Sequence, residues 1–188
     1  MFSFWKAKHK TLVQASAAVP IPAPTVLPDA TAAAPSILPA DAGVLPYYPD
    51  LIEELLAEHE AVNALEQRLR RAFMRQDWPR VAKRLQELGT LLRGHILKEN
   101  VRLYAYLQQV TENEADIETM KHFRRGAKAL SQSLLAFFER YQSIDQLPPE
   151  QAAAFLTDLD AISQAVHARM QSEEEQLYPL YSGYAVVA

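Results

Sequence analysis

The chain has 188 residues, 49% of them apolar, with 19 Lys plus Arg against 23 Asp plus Glu and a formal net charge of -4. This suits one packed domain with an appendage, and the weakly acidic balance excludes bulk electrostatic binding of nucleic acid. The absence of cysteine excludes disulfides, thiolate zinc sites, iron–sulfur clusters and a cysteine nucleophile.

Eight of the 12 prolines fall between Pro20 and Pro49, spaced by Ala, Val, Thr and Ser. Proline removes backbone donors and disfavours helix at the residue before it. Residues 1–46 therefore read as a disordered, Pro/Ala-rich extension, a flexible tether ahead of a domain over 47–188. The opening MFSFWKAKHK puts Phe2, Phe4 and Trp5 ahead of Lys6, Lys8 and Lys10. A secretory signal has the opposite order, so none is expected. Aromatic anchors beside basic residues leave two readings, a short docking or membrane-surface peptide and a plain disordered terminus. No apolar run reaches the ~18 residues of a membrane span. The expected location is the cytoplasm.

From Asp50 the apolar residues recur at steps of three and four. Helix 1 carries Ile52, Leu55, Leu56, Val62, Leu69 and Phe73 and stops near Gln76. Asp77 is a suitable N-cap, with Pro79 just inside helix 2. Helix 2 shows Val81, Leu85, Leu88, Leu92, Leu103 and Tyr106 on one face. Helix 3 starts near Glu114, with acidic residues in its first turn, and its stripe runs from Ile117 to Tyr141. Pro148 and Pro149 open helix 4, which places Phe155, Leu159, Ile162, Val166, Met170, Leu177 and Leu180 inward. The expected fold is all-α, an up-down-up-down four-helix bundle.

The stripes are interrupted by groups that are costly to bury without a partner or a metal. His59 lies on the stripe of helix 1. His95 and Glu99 stand one turn apart on that of helix 2, as do Arg169 and Glu173 on helix 4. Counted along the helix axes, this set spans roughly 12 Å. His122 on helix 3 is at the same level but about 115° from its stripe. A weak repeat, His95-x3-Glu99-x3-Leu103-Tyr104 against Arg169-x3-Glu173-x3-Leu177-Tyr178, aims two polar pairs at one central point. Tyr104 and Tyr178 read first as amphipathic core edge, with pocket lining as the other reading, and Glu174 and Glu175 read as solvated. His9 and His167 read as tail and surface residues. Gly94 beside His95 reads either as a close helix approach or as a tolerated helical glycine.

Imidazole and carboxylate at i and i+4 can bind one metal from one helix face, and such ligands suit iron, manganese or zinc. With these residues the chain resembles the hemerythrin-like, or HHE cation-binding, family. The matching segments are AEHE at His59, HILKENVRLY at His95 and Glu99, KHF at His122, and RMQSEEEQLYP at Glu173. The resemblance covers about 50–182. It implies a four-helix bundle with a non-haem iron centre of one or two ions, held by His59, His95, Glu99, His122 and Glu173. It further implies a binding or sensing protein for O2, NO or redox state, read by a protein partner, and not an enzyme.

The chain departs from that family at Arg169, where the pattern has a histidine; arginine stays protonated and cannot ligate. Two outcomes are open, a mononuclear or asymmetric site and a metal-free core in which Arg169 pairs with Glu99 and Glu173. The second is similar to the regulator-of-sigma-D anti-sigma proteins, through Gly94-His95 and Arg169-x3-Glu173, and would imply a regulator that binds protein. Enzyme signatures are missing: no strand–turn context for a serine triad, no H-E-x-x-H, and H-x3-E spacing instead of the E-x2-H of carboxylate di-iron oxidases.

Overall fold

The computed structural model describes residues 45–146 and 149–186. Four long helices carry the chain, and no strand occurs among the described residues. Helix α1 is Leu51–Met74. Helix α2 is Trp78–Lys98, which runs without a break through a π-helical stretch, Glu99–Tyr104, into Ala105–Val110. Helix α3 is Glu114–Arg140. Helix α4 is Pro149–Ser172, which continues through a second π-helical stretch, Glu173–Leu177, into Tyr178–Gly183.

Local chemistry sets the helix ends. Gln76 takes a left-handed φ of 55°, which ends α1 and turns the chain. Asp77 then accepts a hydrogen bond from the Arg80 N–H at 3.3 Å, with Pro79 in the first turn of α2. Asn113 caps α3 by accepting from the Ala115 N–H at 2.9 Å. These short connections force consecutive helices to run antiparallel. The ends of α1 and α3 accordingly meet the start of α4, where Phe155 packs on Phe73 and Tyr141.

Apolar packing divides the bundle interior into two blocks. One is built on Val62, Leu69, Leu85, Leu92, Phe137, Leu159 and Val166. The other is built on Leu51, Leu55, Leu103, Tyr106, Phe123, Leu177 and Tyr181. Along each of α1, α2 and α4 the polar intruders fall between the blocks: His59 lies between Leu55 and Val62, His95 and Glu99 between Leu92 and Leu103, and Glu173 between Met170 and Leu177. A polar layer thus crosses the middle of the bundle; Glu66, Asp158 and Ser163 are further buried polar residues at the level of the first block, each bonded to a neighbour.

The stripe of α1 differs from the sequence reading at one position: Leu56 is 38% exposed, whereas Leu51 is fully buried. The exposed Gly94 has nothing within 4 Å of a Cβ placed on it, so no helix approaches closely there. The expected tether lies outside the described residues except at its last two positions. The Leu45 N–H donates to Gln109 Oε1 at 2.8 Å, and Tyr47 stacks on Tyr181 at 5.0 Å between ring centroids. Among the described residues, no helix is long and apolar enough to cross a membrane.

Candidate metal centre

The polar layer brings α1, α2 and α4 together. His59, His95, Glu99 and Glu173 are each at most 5% exposed. Burial of this kind is tolerated only when each polar atom finds a partner.

The two histidines are arranged alike. The Nδ1 of His59 lies 2.7 Å from Glu174 Oε1, and the Nδ1 of His95 lies 2.9 Å from Glu58 Oε2. Lys98 Nζ holds Glu58 in turn at 2.7 Å and reaches Glu54 at 2.8 Å. A carboxylate on Nδ1 keeps the ring proton there and turns Nε2 inward as a lone-pair donor. The two Nε2 atoms face each other at 3.3 Å. Glu173 Oε2 lies 3.5 Å from the Nε2 of His59, and Glu99 Oε1 lies 4.0 Å from that of His95. One donor atom from each of His59, His95 and Glu173 falls within 4.8 Å of the others.

Two converging lone pairs repel unless a proton or a cation lies between them. Burial and the neighbouring carboxylates shift the titration of these groups. Burial pushes the Glu99 carboxyl up, to about 8, and the Glu173 charge adds to the rise. Burial opposes a charge on His59, but hydrogen bonds with Glu173 and Glu174 outweigh it and hold the ring above its ordinary value. For His95 burial wins over the Glu58 hydrogen bond, so the ring sits below its ordinary value.

The π-helical stretches supply two further members. A π turn closes i to i+5, so residues five apart return to one face. Both stretches begin at a site glutamate and bring the tyrosine five residues on, Tyr104 or Tyr178, to the face of that glutamate. The Tyr178 hydroxyl lies 3.1 Å from His59 Nε2 and 3.4 Å from Glu99 Oε1. The Tyr104 hydroxyl oxygen accepts from Arg169 Nη2 at 2.6 Å. Burial raises both phenols well above their ordinary range, so both stay protonated. The sequence left two readings for these tyrosines, and both side chains line the polar layer instead of the core edge.

Arg169 also joins this layer. Its Nε bonds Glu173 Oε1, and its Nη1 donates to the Phe123 carbonyl at 2.9 Å. Its guanidinium carbon lies 4.7 Å from the Phe123 ring centroid. Glu99 bonds Tyr178 and makes no ion pair with Arg169, so the bridge across two carboxylates, one of the two outcomes left open by the sequence, is made only to Glu173.

Of the five expected ligands, the structure brings His59, His95, Glu99 and Glu173 together. It does not bring His122. That ring is exposed, because its neighbour Phe123, one helical step of 100° away, takes the inward position on α3. Glu58 and Glu174, which orient the histidines, lie at the stripe edges; Glu58 is the residue before His59, a position that gives no periodic signal. His167 is a surface residue as expected, bonded to Glu66 at 3.0 Å.

An antiparallel four-helix bundle with a buried His–carboxylate cluster at mid-height defines a class, the helical cation-binding proteins. The model of the hemerythrin HHE cation binding domain matches residues 50–181, so the chain belongs to that family. No curated protein and no solved structure matches the chain.

Proposed function

We propose that the bundle holds a non-haem iron ion at the centre formed by His59, His95 and Glu173, with Glu99 and Tyr178 beside it, and that it acts as a binding or sensing protein and not as a catalyst. The observation that carries this is the pair of inward Nε2 atoms at 3.3 Å, each backed by a carboxylate on Nδ1. Carboxylate–histidine pairs of this kind orient metal ligands and raise their basicity. The donor set is nitrogen and oxygen without thiolate, which suits iron, manganese or zinc, and membership of a cation-binding family favours the metal reading. Iron would supply redox change and an open position for O2, NO or another small ligand.

The chain's own residues do the rest. The two apolar blocks keep bulk water from the layer. Tyr178 offers a hydroxyl donor on the His59 side. Because the ligands come from α1, α2 and α4, occupancy or oxidation state biases the packing of three helices, and a protein partner can read that difference.

A second reading rests on Arg169, whose bond to Glu173 neutralises one buried acid without any metal. It makes the bundle a metal-free, anti-sigma-like regulator. Iron content of anaerobically purified protein separates the two. Stoichiometric iron that is lost in His95→Ala with helicity retained supports the metal reading. An iron-free protein, or iron unchanged in His95→Ala, contradicts it.

A further inference from the structure

The α2 and α4 segments of the polar layer are built on one plan and differ at one ligand position. On α2 the plan is His95, Glu99, a π-helical stretch starting at that glutamate, and Tyr104. On α4 it is Arg169, Glu173, a π-helical stretch starting at that glutamate, and Tyr178. The tyrosines cross over. Tyr178 reaches Glu99 of the α2 half, and Tyr104 reaches Arg169 of the α4 half. The arrangement is a pseudo-twofold in which a guanidinium stands where its counterpart has an imidazole.

What surrounds that guanidinium decides its role. The carboxylate of Glu173 is divided: Oε2 faces the histidines, 3.5 Å from His59 Nε2, while Oε1 is taken by Arg169 Nε. The oxygen free to ligate is therefore the one on the histidine side. The Tyr104 hydroxyl and the Phe123 carbonyl, the other polar atoms of this half, also point at the guanidinium. On the α3 side Arg169 meets the Phe123 ring and Gly126, where a Cβ would stand 3.4 Å from Nη1. Neither residue has a ligating side chain. The acceptors of the α4 half, Glu173 Oε1, the Tyr104 hydroxyl and the Phe123 carbonyl, are committed to a permanent positive charge, which also repels a neighbouring dication.

We infer that Arg169 is a covalently attached second cation, and that it restricts this centre to a single metal ion bridged to the guanidinium through Glu173. The inference rests on the proposed metal reading and adds the nuclearity and the residue that determines it. The side chain that would admit a second ion is the one the α2 half already carries, histidine.

The test is Zn2+ stoichiometry at saturation, by equilibrium dialysis of the full chain, for the native protein, Arg169→His and Arg169→Lys, with helicity followed by circular dichroism. One ion per native chain, one in Arg169→Lys, which keeps the charge, and two in Arg169→His are expected, the second binding more weakly. Two ions in the native protein or in Arg169→Lys, or one ion in a folded Arg169→His, would overturn the inference while leaving the metal reading in place. No ion in the native protein would instead remove the metal reading, and the inference with it. If Arg169→His does not fold, the native and Arg169→Lys counts still decide, since either at two contradicts a charge-restricted site.

Discussion

The Nε2 atoms of His59 and His95 stand 3.3 Å apart inside the bundle, each ring having turned its Nδ1 to a glutamate from a neighbouring helix. Glu174 on α4 serves the histidine of α1, and Glu58 on α1 serves that of α2, so the orienting bonds also tie the helices together. Loss of such an outer partner typically weakens metal binding ~10- to 100-fold. Glu58→Gln and Glu174→Gln should each weaken Zn2+ or Fe2+ by that range in chelator competition. The exposed Glu60→Gln should have no effect.

Arg169 neutralises Glu173 within the layer. Removing one member of a buried pair typically costs ~3–5 kcal/mol. With its guanidinium partly exposed, Arg169→Gln should lose less, about 2–3 kcal/mol in metal-free urea unfolding. A bound dication should restore part of the loss, because it neutralises the same carboxylate. Equal destabilisation with and without metal would contradict this role.

The raised Glu99 carboxyl sets a pH dependence. In the metal-free protein Glu99 keeps its proton up to about 8, whereas the unfolded chain loses it near 4.5. The folded state therefore binds more protons across that window, and this contribution to stability declines as pH rises through it. Raised His59 acts in the same direction at the upper end. The melting temperature of metal-free protein should fall between pH 7 and about 8.5, and Glu99→Gln should make the fall shallower. Metal uptake should release protons and strengthen with pH over the same range.

Most of the fold is legible in the residue pattern. The spacing of Leu55, Val62 and Leu69, the cap at Asp77 and the proline that opens α4, Pro149, are local signals, and the helices follow them. At 100° per residue Leu51 lies about 40° from Leu55 and Leu56 a full step from it, so the period itself favours Leu51, the residue that is buried. The candidate site was legible where polar residues broke an apolar period, at His59, His95, Glu99 and Glu173. It was not legible where helix geometry departs from 100° per residue. The two π-helical stretches swing Tyr104 and Tyr178 onto the inner face, and no propensity announces them. His122 shows the converse: its level along α3 fits, but its angle leaves Phe123 inside.

Gly94 is exposed on α2 with free space around its Cα. Helical glycine costs ~0.5–1 kcal/mol relative to alanine. Gly94→Ala should raise stability by about that amount in urea unfolding and leave ion stoichiometry unchanged, although it adjoins His95.

The apolar block near the α1–α2 turn should be separable from the metal centre. Leu159 is fully buried there among Phe137, Phe155 and Val62. Leu159→Ala should cost ~2–5 kcal/mol. Metal bound per folded chain should be unchanged.

Anomalous diffraction at the metal edge, from crystals of the full chain grown anaerobically with Fe2+, tests the central claim most directly. One peak within coordination distance of His59 Nε2, His95 Nε2 and Glu173 Oε2, with Arg169 still on Oε1, is the expected result. A map with no peak in that layer, the two rings still hydrogen-bonded to each other, would contradict it.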